Sequence, residues 1–167
     1  MEIREILLPE FDQEMKKTRT MLERVPEGKP DYKPHNKSMA LGKLAGHVAQ
    51  LPEFAIRIVE LPELDFSKSD MRPLVMENRT QLLDAFDALV QRARAAIASA
   101  KEESWPKNWK LSFQGHTIVD EPRFIVYRGM FLNHLIHHRA QLGVYLRLNE
   151  VPLPATYGPS ADDTMGF

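Results

Sequence analysis

Cysteine is absent from the sequence, and its absence removes several kinds of chemistry. Without thiols the chain has no disulfide, no thiolate zinc site and no cysteine nucleophile. Any metal ion must therefore be held by imidazole, carboxylate or water ligands. Any thiol chemistry must use a thiol that a substrate brings in.

Long apolar runs and an excess of charge of one sign are also missing. No stretch of about 18 apolar residues occurs, so the sequence predicts no transmembrane helix. Residues 1–5 open an amphipathic helix and lack the apolar stretch of a signal peptide. The 22 basic and 23 acidic residues leave a net charge of -1, which gives no electrostatic case for nucleic acid or an anionic membrane. We expect a cytoplasmic protein with neither nucleic acid nor membrane as a partner.

The length of 167 residues suits one domain over residues 1–167. Apolar residues recur at helical spacing in four stretches, and Pro52 is expected to kink the second of them. Residues 61–70 are expected to form a crossover loop. The fold class predicted is an all-α four-helix bundle. Its helices are expected at about residues 3–25, 39–60, 73–101 and 122–148.

The segment between the third and fourth helices has a different pattern. Residues 109–113 alternate between apolar and polar, Gln114-Gly115 is a candidate turn, and residues 116–119 can return as a second strand. An irregular loop fits the same residues. The sequence therefore predicts either a long loop or a short hairpin here.

A histidine pair lies on the apolar face of the fourth helix. His134 and His138 are four residues apart, so they project about 40° apart around the axis and one turn along it. His137 lies about 100° away and is not expected to join them. A buried imidazole without a partner costs about 1–3 kcal/mol, so the pair needs polar partners or a metal ion.

A third histidine faces inward from the second helix. His47 shares its helical face with Leu44 and Ile58, and each histidine taken alone is also compatible with a core residue that has an ordinary hydrogen-bond partner. Three inward histidines on two helices predict one divalent metal site formed by His47, His134 and His138. Three imidazole ligands leave a coordination position open, as in catalytic sites. We expect zinc or nickel, with iron or cobalt as alternatives.

Further polar residues are candidates for orienting the ligands through their second ring nitrogen. Gln50 lies one turn beyond His47, and Gln141 lies one turn beyond His138. For each, an exposed surface position is the alternative. The other candidates for the pocket are Tyr127 and Tyr157.

Charged residues give little support for other kinds of site. Arg139 adjoins the histidine pair but points away from it, so we expect a salt bridge or a dimer contact. The carboxylates are expected to cluster on outer helix faces, with Glu14 near the inward face of the first helix, and this clustering argues against a di-iron bundle.

Three segments together resemble the DinB-like proteins, the YfiT-like metalloenzymes of bacteria: residues 44–47 (LAGH), residues 133–142 (NHLIHHRAQL) and the tail 152–162. The resemblance covers essentially the whole chain. It implies a four-helix bundle with one divalent metal on His47, His134 and His138, and a homodimer in many members. Some relatives are S-transferases that use low-molecular-weight thiols such as mycothiol or bacillithiol.

Three functions stay open at this point. The first is a metal-dependent transferase that acts on a small-molecule substrate with a low-molecular-weight thiol. The second is a metal-dependent hydrolase using metal-bound water, and the third is a non-enzymatic binding or scaffold protein stabilised by its metal. An open basic pocket would favour the first, a carboxylate poised over the metal the second, and a fourth protein ligand the third.

Overall fold

The computed structural model describes residues 2–166, most of which lie in helices. Residues 123–148 form one continuous helical run whose middle section is a π-helix. The helices are α1 (Ile3–Leu22), α2 (Leu41–Gln50), α3 (Pro52–Glu60), α4 (Arg79–Ser99), α5 (Arg123–Val126), the π-helix (Tyr127–Asn133) and α6 (His134–Leu148).

The predicted second helix is divided in two at Pro52. Proline has no backbone N–H, so it interrupts the helical hydrogen bonds but suits the first turn of a new helix. Leu51 keeps helical dihedral angles between α2 and α3. The division therefore changes the hydrogen bonding while the chain continues in the helical conformation through Leu51.

The third helix begins six residues later than the periodicity suggested, at Arg79 rather than Pro73. Asn78 caps it, because its side-chain oxygen accepts a hydrogen bond from the backbone N–H of Gln81 at 2.8 Å. The residues before Asn78 are consequently not helical. We call residues 69–77 the strap, because they cross α2 beside His47.

The prediction of an all-α fold is wrong, because three strands form a mixed sheet. The strands are β1 (Glu63–Asp65), β2 (Asn108–Phe113) and β3 (His116–Pro122). β2 lies in the middle, parallel to β1 and antiparallel to β3. Gln114 and Gly115 have φ of 49° and 82°, the left-handed pair that a two-residue type I′ hairpin requires. The hairpin therefore forms, and part of the expected crossover loop adds a third strand to it.

The sheet is fastened to the end of α3 by two buried side chains. Trp109 Nε1 donates to the carbonyl oxygen of Leu61 at 3.1 Å. Arg123 Nη1 donates to the same oxygen at 2.9 Å and also to the carbonyl of Ile58. These bonds satisfy carbonyls that lack partners within the helix.

One hydrophobic core joins the helices and the sheet. α4 packs against α1, α2 and α3, and α6 packs against α1 and α2. The contact of α2 with α6 brings together the two helices that carry the candidate ligands. Among the helices described between residues 2 and 166, none is long and apolar enough to cross a membrane.

Candidate metal centre

His47, His134 and His138 meet between α2 and α6. His47 Nε2 lies 3.3 Å from His134 Nε2, and His138 Nε2 lies 2.9 Å from the same atom. One ligand atom from each ring lies within 4.8 Å of the others, and all three side chains are half-buried. The rings therefore converge through one type of nitrogen on a small shared volume.

The other ring nitrogen is bonded in two of the three histidines. His134 Nδ1 lies 3.2 Å from the carbonyl oxygen of Met130, and His138 Nδ1 lies 2.7 Å from Oε1 of Gln141. Both partners only accept hydrogen bonds, so each Nδ1 carries the proton and donates it. In the neutral rings each Nε2 then has a free lone pair, which is the tautomer that ligates a metal.

The π-helix provides the carbonyl that orients His134. In an α-helix the backbone N–H of His134 would donate to the carbonyl of Met130, four residues earlier. In this structure it donates to the carbonyl of Phe131 instead. The Met130 carbonyl is thus available to the imidazole, in keeping with the frequent occurrence of π-helical turns at functional sites.

The surroundings favour the neutral form of all three imidazoles. Burial, followed by the nearby rings of His138 and His134, lowers the pKa of His47 to about 4. Burial is also the main cause that lowers the pKa of His134 and of His138, partly offset by the bonds to Met130 and Gln141. At neutral pH the lone pairs are therefore available, as metal binding requires.

The spacing of the nitrogens suits ligands of a common ion. Two imidazole nitrogens each about 2.1 Å from a zinc ion lie about 3.4 Å apart at the tetrahedral angle. The 3.3 Å and 2.9 Å separations at His134 are close to that value. Nitrogen donors of this kind suit zinc, nickel, iron and cobalt alike.

Gln50 holds the strap rather than a histidine. Its Oε1 accepts from the backbone N–H of Leu74 at 2.9 Å, and its Nε2 donates to the carbonyl of Arg72 at 2.7 Å. Gly46 permits this close approach, because a Cβ atom there would lie 2.0 Å from the carbonyl oxygen of Leu74. The strap backbone therefore rests directly on α2, next to His47.

Two cavities adjoin His47, one towards each end of its helical face. The aromatic chamber, of about 320 Å³, extends past Phe54, Phe66 and Met71, with Arg72 in its wall. The lysine chamber, of about 310 Å³, extends past Lys43 and is otherwise walled mainly by apolar side chains: Met39, Pro73, Leu74 and Val75. His47 and Gln50 line both chambers.

The remaining predicted residues lie in different surroundings. Gln141 lies beside His138, as described, whereas Tyr127 is fully buried between Trp105 and Phe131 in the core. Burial raises the pKa of its hydroxyl strongly. The other three histidines, His35, His116 and His137, are exposed.

Comparison with known proteins decides the family. The sequence profile of the DinB family matches residues 5–165. The chain belongs to the DinB family. No curated protein matches it significantly.

Solved DinB-like structures share the fold of this family member. A DinB-like protein from Bacillus subtilis is 16% identical with a TM-score of 0.64, over 93% of this chain and 96% of that one. A DinB-like protein from Bacillus cereus is 16% identical with a TM-score of 0.67, over 90% and 95%. A proposed DinB-family member from Exiguobacterium sibiricum is 22% identical with a TM-score of 0.62, over 90% and 94%.

The salt bridge expected for Arg139 is confirmed, but it lies in a buried ionic cluster of this DinB-family chain that the sequence did not indicate. Arg139 Nη2 donates to Glu14 Oε2 at 2.6 Å, and the Tyr157 hydroxyl donates to the same oxygen at 2.7 Å. Glu14 is 5% exposed and Arg139 is 2% exposed, so both charged side chains lie inside the protein. Tyr157 borders a separate cavity of about 460 Å³ along α6, whose wall does not include the three histidines.

The sequence also does not predict the chamber walls, because residues 73–77 of the strap have the periodicity of the third helix. The signal that could have shown the true start of α4 is Asn78 followed three residues later by Gln81, a helix-start pattern. Placing that start correctly frees the strap to lie elsewhere. The sequence still gives no indication of which helix the strap covers.

Proposed function

We propose that His47, His134 and His138 bind one divalent metal ion, zinc or nickel in the first instance. The observation that carries the proposal is the 2.9 Å separation of His134 Nε2 and His138 Nε2. In both neutral rings the proton is on Nδ1. The two Nε2 atoms therefore face each other with a lone pair on each and no proton between them. A shared cation removes that repulsion and uses both lone pairs.

We further propose that the chain uses this centre to transfer a low-molecular-weight thiol to an electrophile. When bound, the metal ion supplies Lewis acidity that lowers the pKa of a thiol at its open position. The chain itself orients the ligands, through Gln141 at His138 and the Met130 carbonyl at His134. The strap rests on α2 beside His47, through the hydrogen bonds of Gln50 and the contact with Gly46.

The charges around the centre support thiol transfer over hydrolysis. Lys43 and Arg72 lie in the chamber walls, whereas the described residues lining the two chambers include no Asp or Glu. A cationic wall attracts an anionic thiol, and no carboxylate there is placed to accept a proton from water. The described residues also provide three ligands and no fourth, which leaves open the position that a scaffold site would close.

The metal proposal is tested by elemental analysis of protein purified without a His-tag. His47→Ala, His134→Ala and His138→Ala should each lose most of the bound metal. Matched substitutions of the exposed histidines, His35→Ala and His116→Ala, should retain it. Full metal content in the His134→Ala protein would disprove the proposed site.

The reaction is tested by supplying bacillithiol, mycothiol or glutathione with monochlorobimane. Conjugation should exceed the uncatalysed rate with metal-loaded protein, and should stop after chelation or in the His138→Ala variant. Turnover of ester or amide substrates with no conjugation of any thiol would instead identify a hydrolase.

A further inference from the structure

The two chambers leave His47 in opposite directions along one helical face. Phe54 lies seven residues after His47 and belongs to the aromatic chamber, whereas Lys43 lies four residues before it and belongs to the lysine chamber. Residues at these spacings follow the same side of a helical segment. Of the three candidate ligands, His47 is the one that lines both chambers.

The strap forms a fixed partition between the chambers. Both ends of the Gln50 amide bond to its backbone, at Leu74 and at Arg72. The contact with Gly46 leaves no room for even a methyl group between strap and helix. Merging the chambers into one would break both hydrogen bonds, so we treat them as two binding spaces.

The aromatic chamber has the size and the walls for a flat apolar group. The rings of Phe54 and Phe66 meet edge to face, with centroids 5.7 Å apart, and the Phe54 ring lies 6.4 Å from that of His134. An apolar cavity of about 150 Å³ is enough to bind benzene. At about 320 Å³ this chamber has room for a substituted ring.

The lysine chamber differs from the aromatic chamber in that a lysine stands at its edge. Apolar side chains form most of its wall, and Lys43 brings an exposed ammonium group to its edge. An ammonium group on a flexible stem pairs with a carboxylate without demanding one fixed geometry. This combination suits a short thiol that carries a carboxylate.

We propose that the centre binds two substrates at once, one from each chamber. An electrophile places its aromatic group between Phe54, Phe66 and Met71, and a thiol places its carboxylate at Lys43. The inference rests on the proposed thiol transfer and adds the class of each substrate and the side from which it enters. With a benzylic halide, the thiol sulfur forms a bond to the benzylic carbon. The carbon–halogen bond breaks with its electron pair leaving on the halide, and the thiol proton passes to bulk water.

The test uses two unreactive probes, 4-nitrobenzyl alcohol and S-methylglutathione, with binding measured by calorimetry on tag-free protein. Both should bind, and saturation with one should change the affinity for the other by less than about twofold, because separate sites with little coupling act independently. Mutual exclusion of the probes, or failure of either to bind, would overturn the two-chamber proposal.

Matched variants assign each probe to its chamber. Phe66→Ala should weaken the alcohol by about two- to tenfold, the range expected for one aromatic contact, and leave S-methylglutathione unchanged. Lys43→Gln should weaken S-methylglutathione by about two- to fivefold and leave the alcohol unchanged. Phe113→Ala, at an exposed position on β2 outside both chambers, should affect neither. Equal losses for both probes in either chamber variant would refute the assignment.

The design separates this inference from the proposed metal function. Metal content is measured in every variant, and the probe titrations are repeated on chelated protein, because His47 is the only proposed ligand among the residues that line the two chambers. Phe66→Leu, which keeps apolar bulk without a ring, replaces Phe66→Ala if the latter does not fold. If the wild-type protein binds no metal, the proposed metal function alone is refuted. If the two probes do not bind independently, the two-chamber proposal alone is refuted.

Discussion

Replacing Arg139 with methionine tests whether Glu14 is an ionised carboxylate that depends on its partners. Arg139 donates to the carboxylate of Glu14 at 2.6 Å and to the hydroxyl of Thr18 at 3.1 Å. Methionine fills similar space with apolar atoms but leaves Glu14 without its main cation. Removing one partner of a buried ion pair costs about 3–5 kcal/mol. Lys17 and Tyr157 still bond to Glu14, so we expect the free energy of unfolding to fall by about 3 kcal/mol at pH 7, the lower end of that range.

The destabilisation caused by Arg139→Met should depend on pH, because it depends on the ionisation of Glu14. Burial acts to raise the pKa of Glu14, but hydrogen bonds from Tyr157, Lys17 and Arg139 outweigh it and lower the pKa overall. In the wild type this carboxylate therefore contributes stability above its unfolded pKa of about 4.3, and the contribution is lost as the pH falls through the folded pKa. Without Arg139 the carboxylate loses one hydrogen bond and the attraction of its charge, both of which lower the pKa, so the folded pKa of Glu14 rises above its wild-type value. Glu14 can then protonate, so the loss should shrink between pH 7 and pH 4.5.

The assay is urea unfolding of chelated protein at pH 7 and pH 4.5, compared as free energies of unfolding. Arg147→Met removes an exposed pair with Asp162 and should change stability little at either pH. Adding Glu14→Gln to Arg139→Met should recover part of the loss at pH 7. If Arg139→Met lowers the free energy of unfolding equally at both pH values, Glu14 is not ionised in the way proposed. If Arg147→Met lowers it by a similar amount, the cost does not come from burial of the ion pair.

Three further results are expected. Gly46→Ala should destabilise the protein by about 1–3 kcal/mol in thermal unfolding, because the new methyl group meets a strap carbonyl, whereas Gly143→Ala has room and should stabilise α6 by up to about 1 kcal/mol. Gln141→Leu should weaken metal binding about 10- to 100-fold in competition titrations, since it removes the acceptor that orients His138. We expect a homodimer in sedimentation equilibrium at micromolar concentration, because α6 exposes apolar side chains such as Leu148, which is 53% exposed.

Helical periodicity located the histidine cluster because the spacing of side chains around a helix depends on geometry alone. His134 and His138 share a face in any helix, and His47 lies on the apolar face of its own helix. Their meeting required only that these two apolar faces pack together. Gln141 follows by the same reasoning, because a residue three positions along a helix lies beside the first.

The errors occur where distant segments decide the structure. β1 has three residues and exists only because β2 pairs with it, so residues 61–70 carry no pattern of their own. Glu14 lies at a polar position of α1, and its burial depends on Arg139 in another helix. A sequence shows the charge of each residue but not the partner that allows the charge to be buried. Strand β1, the strap, and the partner and burial of the Arg139 salt bridge were missed for that reason.

The ion pair between Glu14 and Arg139 also has a consequence for synthesis on the ribosome. Glu14 is made 125 residues before its partner, and Tyr157 follows Arg139 by a further 18 residues. At about 5–20 residues per second, Arg139 is made about 6 to 25 seconds after Glu14, and until then the carboxylate has Lys17 of the same helix as its cation. Burying this face of α1 during that interval would cost free energy, because the carboxylate would lack the buried partner that it has in the folded chain. The nascent chain is therefore expected to keep α1 undocked until α6 has emerged, so that the first helix made is among the last to be buried.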